Sequence, residues 1–348
     1  MKRRIPLLAL ALATAMPALA QTAAPPAKPA APLPLPPSVS KEVREAYDKF
    51  ASAPPQPDFK GDVAAMRRWN GDQEAVRLRD AERIFPVRTE SRTIGGVRVD
   101  IVVPLSGISP ENRSRVLINL HGGGFMWGAG AGALSEAVPI AGTGRIKVIT
   151  VDYRMAPEHK FPAASEDVAT VYRELLRQYR PENIGIYGCS AGGILAAQSV
   201  AWFAAHSLPR PGAIATLCGT GSEIDGDSGY FAAWSTGMPL PSGAEPLHLV
   251  GLPYFQGVDP KDPLVFPIVS SDVLRGFPPT LLLAGNRDFA ASSLTTMHRR
   301  LRASGVDAEL YLFDGLWHAF VMDPTLPEAR EAYGIVWRFF DRHLGHSK

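Results

Sequence analysis

The sequence predicts an α/β fold in which helices cover both faces of a mostly parallel, doubly wound sheet. Short runs rich in Val and Ile suit strands buried on both faces, the segments between them show helical spacing, and the two kinds of segment alternate. The chain has 348 residues, 46% apolar and 20% charged, which is enough for one large domain and excludes disorder throughout. The net charge of +2 gives no reason to expect nucleic acid as a partner.

The first twenty residues have the pattern of a secretory signal peptide. Basic residues at 2–4 precede an apolar stretch at 5–16, and Ala18-Leu19-Ala20 provides small residues three and one places before a cleavage point. The apolar stretch is about 12 residues long, whereas a bilayer span needs roughly 20. We therefore expect cleavage before Gln21, a periplasmic or secreted product and no stable membrane insertion. Without the three basic residues the net charge is about −1.

Two further segments precede the predicted sheet. Residues 21–38 are rich in Pro and Ala, a composition that favours an extended linker and cannot bury a core. Residues 39–85 show helical spacing, with Val43, Tyr47 and Phe50 on one face, and we expect short helices there.

The main domain, residues 86–345, contains the alternating elements. The predicted strands are 97–103, 116–120, 147–152, 184–187, 214–217, 280–284 and 309–313. The predicted helices are 167–179, a segment around 199, 294–304 and 328–344. A stretch at about 220–277, rich in Pro, Gly and aromatic residues, interrupts the alternation, and we interpret it as an insertion over the sheet.

Residues 188–192 form a G-x-S-x-G pattern between a predicted strand and an Ala-rich helix. Glycines permit the tight reversal that leaves the Ser190 hydroxyl exposed above the sheet, and the helix start at Ala191 supplies a free N–H group. A glycine-rich turn that only joins strand to helix is the alternative interpretation of this pattern taken alone.

A second glycine-rich motif follows the predicted strand 116–120. His121 precedes three glycines, so bare backbone can approach a substrate, and the N–H groups of Gly122 and Gly123 can bind an oxygen that becomes negative during acyl transfer. The two motifs together indicate nucleophilic catalysis by Ser190.

Several motifs in one order resemble the hormone-sensitive-lipase-like branch of the α/β-hydrolase esterases. They are residues 121–125 with 127–128, 152–159, 161–163 and 188–193. The resemblance covers roughly residues 85–345. It implies a Ser-Asp-His triad, a three-donor oxyanion hole, which we assign to Gly122, Gly123 and Ala191, and no metal or organic cofactor. It also implies a helical cap built from residues 39–85 and the insertion.

The acid and the base follow from the chain order Ser, Asp, His. Asp288 follows the predicted strand 280–284, and His318 lies past the next strand; both positions match the family pattern. Asp314 and Asp323 are rival acids, but each lies so close to His318 in sequence that the loop would have to fold back on itself.

The two cysteines and three aromatic residues complete the candidate site. Cys189 stands where the family usually has Asp or Thr, and we expect Cys189 and Cys218 to be buried free thiols, with a disulfide as the alternative. Phe125, Trp127 and Trp234 are expected to line a crowded apolar pocket that favours small acyl groups.

These observations predict an exported serine carboxylic-ester hydrolase that acts on short-chain acyl esters through an acyl-enzyme. Its partner is a small ester or lactone, and the oligomeric state is not predicted. Two alternatives remain open: a lactone hydrolase with the same triad, and a non-catalytic ligand-binding homologue, which retention of Ser190, Asp288 and His318 disfavours.

Overall fold

A computed structural model describes residues 33–53, 56–236 and 247–345. The strands are β1 (Val87–Ile94), β2 (Val97–Pro104), β3 (Val116–Leu120), β4 (Val148–Val151), β5 (Ile184–Cys189), β6 (Ala213–Leu217), β7 (Thr280–Gly285) and β8 (Ala308–Phe313). The helices are α1 (Lys41–Ser52), α2 (Val63–Ile84), α3 (Ala131–Gly144), α4 (Ala163–Leu175), α5 (Ala191–Ala205), α6 (Asp227–Thr236), α7 (Ser271–Arg275), α8 (Ala291–Ala303) and α9 (Pro327–His343). The predicted signal peptide and most of the predicted linker lie outside the described residues.

The strands form one eight-stranded sheet in the order β1-β2-β4-β3-β5-β6-β7-β8. The β1–β2 and β2–β4 pairs are antiparallel, and all other pairs are parallel. The predicted fold class is therefore confirmed. The chain winds outward from β3 to β4 on one side and to β5 on the other, so the carboxyl ends of β3 and β5 meet at the topological switch point, where open α/β sheets bind ligands.

The core has two layers because the sheet is buried on both faces. Helices α4, α5 and α8 cover one face, and α3 and α9 cover the other. All residues of β3, β5 and β7 are buried. Packing at β5 is tight: a Cβ atom at Gly185 would lie 2.6 Å from side-chain atoms of both Leu117 and Phe340. The central strands therefore have little freedom to shift, which favours precise placement of the loops at their ends.

The N-terminal helices pack near the carboxyl ends of the strands. Ser40 caps α1 and also donates its backbone N–H and its hydroxyl to Glu328 on α9, at 2.7 and 2.8 Å. Arg67 on α2 donates to the Met126 carbonyl oxygen at 2.8 Å and pairs with Glu158. Residues 39–85 thus contact α9 and the loops that follow β3 and β4.

The structure contains elements that the sequence analysis missed. Strand β1 is an edge strand with mostly exposed, polar residues, so it lacks the buried run expected of a strand. Helix α3 is buried on most sides, contains Pro139 and has no clear polar face, so it lacks helical periodicity. Within the predicted insertion, α6 and α7 are helical, and residues 237–246 lie outside the described part. Within the described residues no helix has the length and apolarity needed to span a bilayer.

Candidate active site

Three side chains from separate loops form a continuous hydrogen-bonded chain. His318 Nε2 lies 2.9 Å from Ser190 Oγ, and His318 Nδ1 lies 2.9 Å from Asp288 Oδ1. The Asp288 side chain is fully buried, and that of His318 is 15% exposed. The rival acids are engaged elsewhere, since Asp314 accepts from Asn286 and Asp323 accepts from Thr325. The structure therefore joins hydroxyl, imidazole and carboxylate in the order that activates a serine nucleophile.

Ser190 sits in a strained turn between β5 and α5. Its φ of +57° is rare for a residue with a side chain, and its N–H donates to the Leu217 carbonyl oxygen at 2.7 Å. A Cβ atom at Gly188 or at Gly192 would lie 2.2 or 1.7 Å from the Leu120 carbonyl oxygen of the neighbouring strand. Only glycine permits this approach, so the turn holds the hydroxyl above the carboxyl end of the sheet.

The backbone donors near Ser190 differ in part from the expected set. The Gly122 N–H donates to Glu136 Oε1 at 2.7 Å and is therefore not free to bind a substrate oxygen. In contrast, the N–H groups of Gly123, Gly124 and Ala191 have no protein acceptor among the described residues. The third glycine of the triplet thus takes the place expected for Gly122. Gly124 was visible in the sequence as the third glycine of the motif. The sequence did not show that the carboxyl group of Glu136 binds the Gly122 N–H.

Glu136 is a buried carboxyl group beneath the site that sequence reasoning missed. It accepts hydrogen bonds from Gly122 N at 2.7 Å, from Asn119 Nδ2 at 3.2 Å and from Cys189 N at 3.2 Å. Burial raises the pKa of Glu136 to about 8, against the lowering effect of these hydrogen bonds. A single Glu in a helix is usually solvated, so nothing in the sequence marked it. It joins the glycine-rich loop to the strand that carries Ser190.

Both cysteines are buried free thiols, and Cys218 lies beside Asp288. Hydrogen bonding with Cys218 and burial raise the pKa of the Cys189 thiol well above its usual value. Potential ligand atoms of Cys218, Asp288 and His318 lie within 4.8 Å of one another. Both ring nitrogens of His318 are already engaged with Ser190 and Asp288, so binding a metal ion there would require the hydrogen-bonded chain to break.

Phe289 stacks on the imidazole of His318, with ring centroids 4.0 Å apart and an angle of 26° between the planes. The contact opposes rotation of the imidazole away from Ser190 and places an aromatic face against it. Sequence reasoning missed this residue, although an aromatic residue directly after the acid was a visible signal.

A cavity of about 410 Å³, including its mouth, opens beside Ser190. Its apolar wall consists of Phe125, Ile194, Ile224, Leu247, Leu249, Leu252 and Phe289. Its polar wall includes Thr220, Ser222 and Ser293. A cavity with apolar walls and a few polar groups is typical of a small-molecule site.

The three aromatic residues expected to bind substrate have different positions. Phe125 borders the cavity, but its side chain is fully buried and stacks on Tyr254 at 4.3 Å, so it serves mainly as core. Trp127 lines a second cavity next to α2, together with Arg67. Trp234 belongs to α6, and its side chain lies outside what the structure describes.

Comparisons with known proteins identify a matching family and several relatives. Residues 117–322 match a family model described as alpha/beta hydrolase fold. The chain is 28% identical over 257 residues to the putative acetyl-hydrolase LipR of Mycobacterium tuberculosis, covering 72% of this chain and 82% of that protein. It is 27% identical over 266 residues to an esterase of Acinetobacter venetianus, covering 74% and 84%.

Solved structures of esterases are also similar to this chain. The crystal structure of esterase E25 has a TM-score of 0.78 and 31% identity, covering 90% of this chain and 97% of that one. An esterase from the bacterial hormone-sensitive lipase family has a TM-score of 0.73 and 27% identity, covering 88% and 99%.

Replacement of Glu136 tests whether its buried carboxyl group is protonated in the folded chain. Between pH 4.5 and 8 a Glu136 with a pKa of about 8 keeps its proton in the folded chain, whereas the unfolded chain has lost it. The free energy of unfolding should therefore fall as pH rises through this window, by at most about 1.4 kcal/mol per pH unit. Glu136→Gln removes this dependence, so the unfolding free energy of wild type minus that of the variant should fall from pH 5 to pH 8 in urea unfolding.

Glu158→Gln is the matched control for that experiment. Hydrogen bonding to Arg67 lowers the pKa of the exposed Glu158, so this carboxyl group is ionised in both states across the same window. A stability difference for Glu136→Gln that does not change with pH would show that the buried carboxyl is ionised as well.

Proposed function

Since the chain belongs to the α/β-hydrolase fold family and, within it, to the hormone-sensitive-lipase-like esterases, we propose that it is a serine carboxylic-ester hydrolase that works through an acyl-enzyme. The observation that carries the proposal is the chain from Ser190 through His318 to Asp288, with hydrogen bonds of 2.9 Å. A homologue that only binds its ligand has no need of this alignment.

The first half of the reaction forms the acyl-enzyme. Ser190 Oγ attacks the ester carbonyl carbon while His318 Nε2 takes the hydroxyl proton. Asp288 accepts a hydrogen bond from Nδ1, which fixes the tautomer and stabilises the imidazolium. The N–H groups of Gly123, Gly124 and Ala191 bind the oxygen that becomes negative, and His318 then protonates the leaving alcohol.

The second half releases the acid. Water attacks the acyl-enzyme carbonyl carbon while His318 accepts a proton from that water. The bond between the carbonyl carbon and Ser190 Oγ then breaks, and His318 returns the proton to Oγ. Since Phe289 covers one face of the imidazole, His318 stays in line for both proton transfers. The three backbone donors serve both tetrahedral intermediates.

We propose that the acyl group is short. The wall of the cavity beside Ser190 includes large side chains such as Leu249 and Phe289, which restrict the space for an acyl chain. Relatives are named acetyl-hydrolase and acetyl esterase. A lactone is a cyclic ester that needs the same groups, so it belongs in the same substrate test.

We also propose that the protein is exported to the periplasm or the medium. The support is the basic, apolar and small-residue pattern of residues 1–20. No stable membrane insertion is part of this proposal.

The proposed catalytic unit predicts large and similar losses. Ser190→Ala, Asp288→Asn and His318→Ala should each lower ester turnover by about 10⁴, because these groups act together. Asp314→Asn is the matched control and should be mild, since Asp314 bonds Asn286 instead of His318. A fluorophosphonate probe should label wild type but not Ser190→Ala, with circular dichroism as a check on folding. A crippling Asp314→Asn beside a silent Asp288→Asn would overturn the assignment of the acid.

Acyl-chain length gives a second test. Each methylene that fits gains up to about 0.8 kcal/mol, and one that meets the wall loses this gain and disturbs the attack geometry. Across p-nitrophenyl esters, kcat/KM should peak at roughly two to six acyl carbons, and a lactone of similar size should be turned over. A maximum at palmitate would contradict the short-chain proposal.

Export is tested on the secreted material itself. Amino-terminal sequencing of protein recovered from the periplasm or medium should begin at Gln21, because cleavage follows Ala18-Leu19-Ala20. Exported protein that retains Met1 or Lys2 would contradict cleavage at this position.

A further inference from the structure

Two hydroxyl groups in the cavity beside Ser190 are buried without a hydrogen-bond partner. The residues are Thr220 and Ser222, which are 2% and 6% exposed, and neither Oγ atom has a donor or acceptor within reach. The hydroxyl of Ser293, in the same wall, instead donates to the Glu223 carbonyl oxygen at 2.9 Å. The cavity thus contains hydrogen-bonding capacity that the protein does not use itself.

The backbone that carries the two hydroxyls is held firmly next to the nucleophile. Gly219 packs so closely on Ser190 that a Cβ atom there would lie 2.3 Å from the Ser190 carbonyl oxygen. Ser222 N donates to the Thr220 carbonyl oxygen at 2.8 Å, and Ile268 N donates to the Gly221 carbonyl oxygen at 3.0 Å. The segment 219–222 therefore presents its side chains from a fixed position.

An unpartnered buried hydroxyl destabilises a fold, and Val or Ala would fill similar space without that penalty. Much of the rest of the wall is apolar, for example Ile194, Leu249 and Phe289. Each hydroxyl can both donate and accept, so each can form a hydrogen bond with an oxygen of a ligand that enters the cavity. Sites built in this way discriminate strongly against a ligand that lacks the matching oxygen.

We propose that Thr220 and Ser222 form a polar subsite and that the preferred ester carries a hydroxyl or keto oxygen on the group that enters this cavity. This inference rests on the proposed ester hydrolase function. The oxygen can belong to the acyl half or to the alcohol half of the ester, since either half extends from the carbonyl carbon at Ser190.

Two pairs of esters separate these sources. The acyl pair is ethyl 3-hydroxybutyrate, with each enantiomer assayed separately, against ethyl butyrate. The alcohol pair is glycerol 1-monobutyrate against propyl butyrate. The readout is the ratio of kcat/KM for the hydroxylated ester to that for the plain ester, measured by pH-stat. In wild type we expect this ratio to exceed one in one of the two pairs.

The variants then test whether the two hydroxyls cause the preference. Ser222→Ala and Thr220→Val should each lower that ratio by about tenfold or more, because each removes a hydrogen bond to the ligand oxygen. Thr220→Ser keeps a hydroxyl and should retain the ratio. Ser293→Ala is the matched control: it removes a hydroxyl from the same wall that is already bonded, and the ratio should not change.

Ratios at or below one in both pairs for wild type, or equal ratios in wild type, Ser222→Ala and Thr220→Val, would overturn the subsite. Because Thr220→Val nearly preserves the shape of the side chain, it provides the answer if Ser222→Ala fails to fold. A wild type that hydrolyses none of the four esters would instead contradict the proposed function, so the two failures are distinguishable.

Discussion

The close approach of β3 and β5 at their carboxyl ends is the constraint on which the site depends. Leu120 is paired with Gly188, and the Leu120 carbonyl oxygen occupies the space that a side chain at Gly188 or Gly192 would need. This contact forces the turn after β5 to be made of glycines around one strained serine. It also places the loop after β3 beside the first turn of α5. The pairing of β3 with β5 therefore positions both the Ser190 hydroxyl and the backbone N–H groups of the neighbouring loop.

A strained turn persists only if its surroundings hold it in place. Glu136 supplies part of that support, because its carboxyl group accepts hydrogen bonds from backbone N–H groups of the loop after β3 and of the end of β5. The hydrogen bond to Glu136 engages the Gly122 N–H in structure, whereas the N–H groups of Gly123 and Gly124 have no protein acceptor in the part of the chain that the structure describes. A polar network of this kind is strong only while every member is satisfied, so the buried carboxyl both stabilises the site and makes it sensitive to substitution.

The sequence was sufficient to predict the fold class, the central strands and Ser190, because buried parallel strands and a glycine-flanked turn leave strong local signals. Asp288 and His318 were predicted from the chain order and the family pattern, and the structure brings both to Ser190. It was insufficient for contacts that no motif marks. The bond between Glu136 and Gly122 depends on the position of a helix that no local pattern encodes. Phe289 was visible as an aromatic residue directly after the acid, but its stacking on His318 depends on how two loops meet. Strand β1 and helix α3 were missed because their apolar residues do not show the expected periodicity: β1 is mostly exposed and α3 is mostly buried.

The loops that carry the acid and the base are held from two sides. Strands β7 and β8 hold them from the sheet, and the N-terminal segment packs against them from outside. Arg287, next to the acid, donates to the Leu33 and Pro34 carbonyl oxygens, while Phe50 of α1 stacks on Trp317, next to the base. Because Ser40 is also bonded to Glu328 on α9, the N-terminal segment is fixed to the same domain whose loops it covers. It follows that the N-terminal segment contributes to the position of the loop that carries His318.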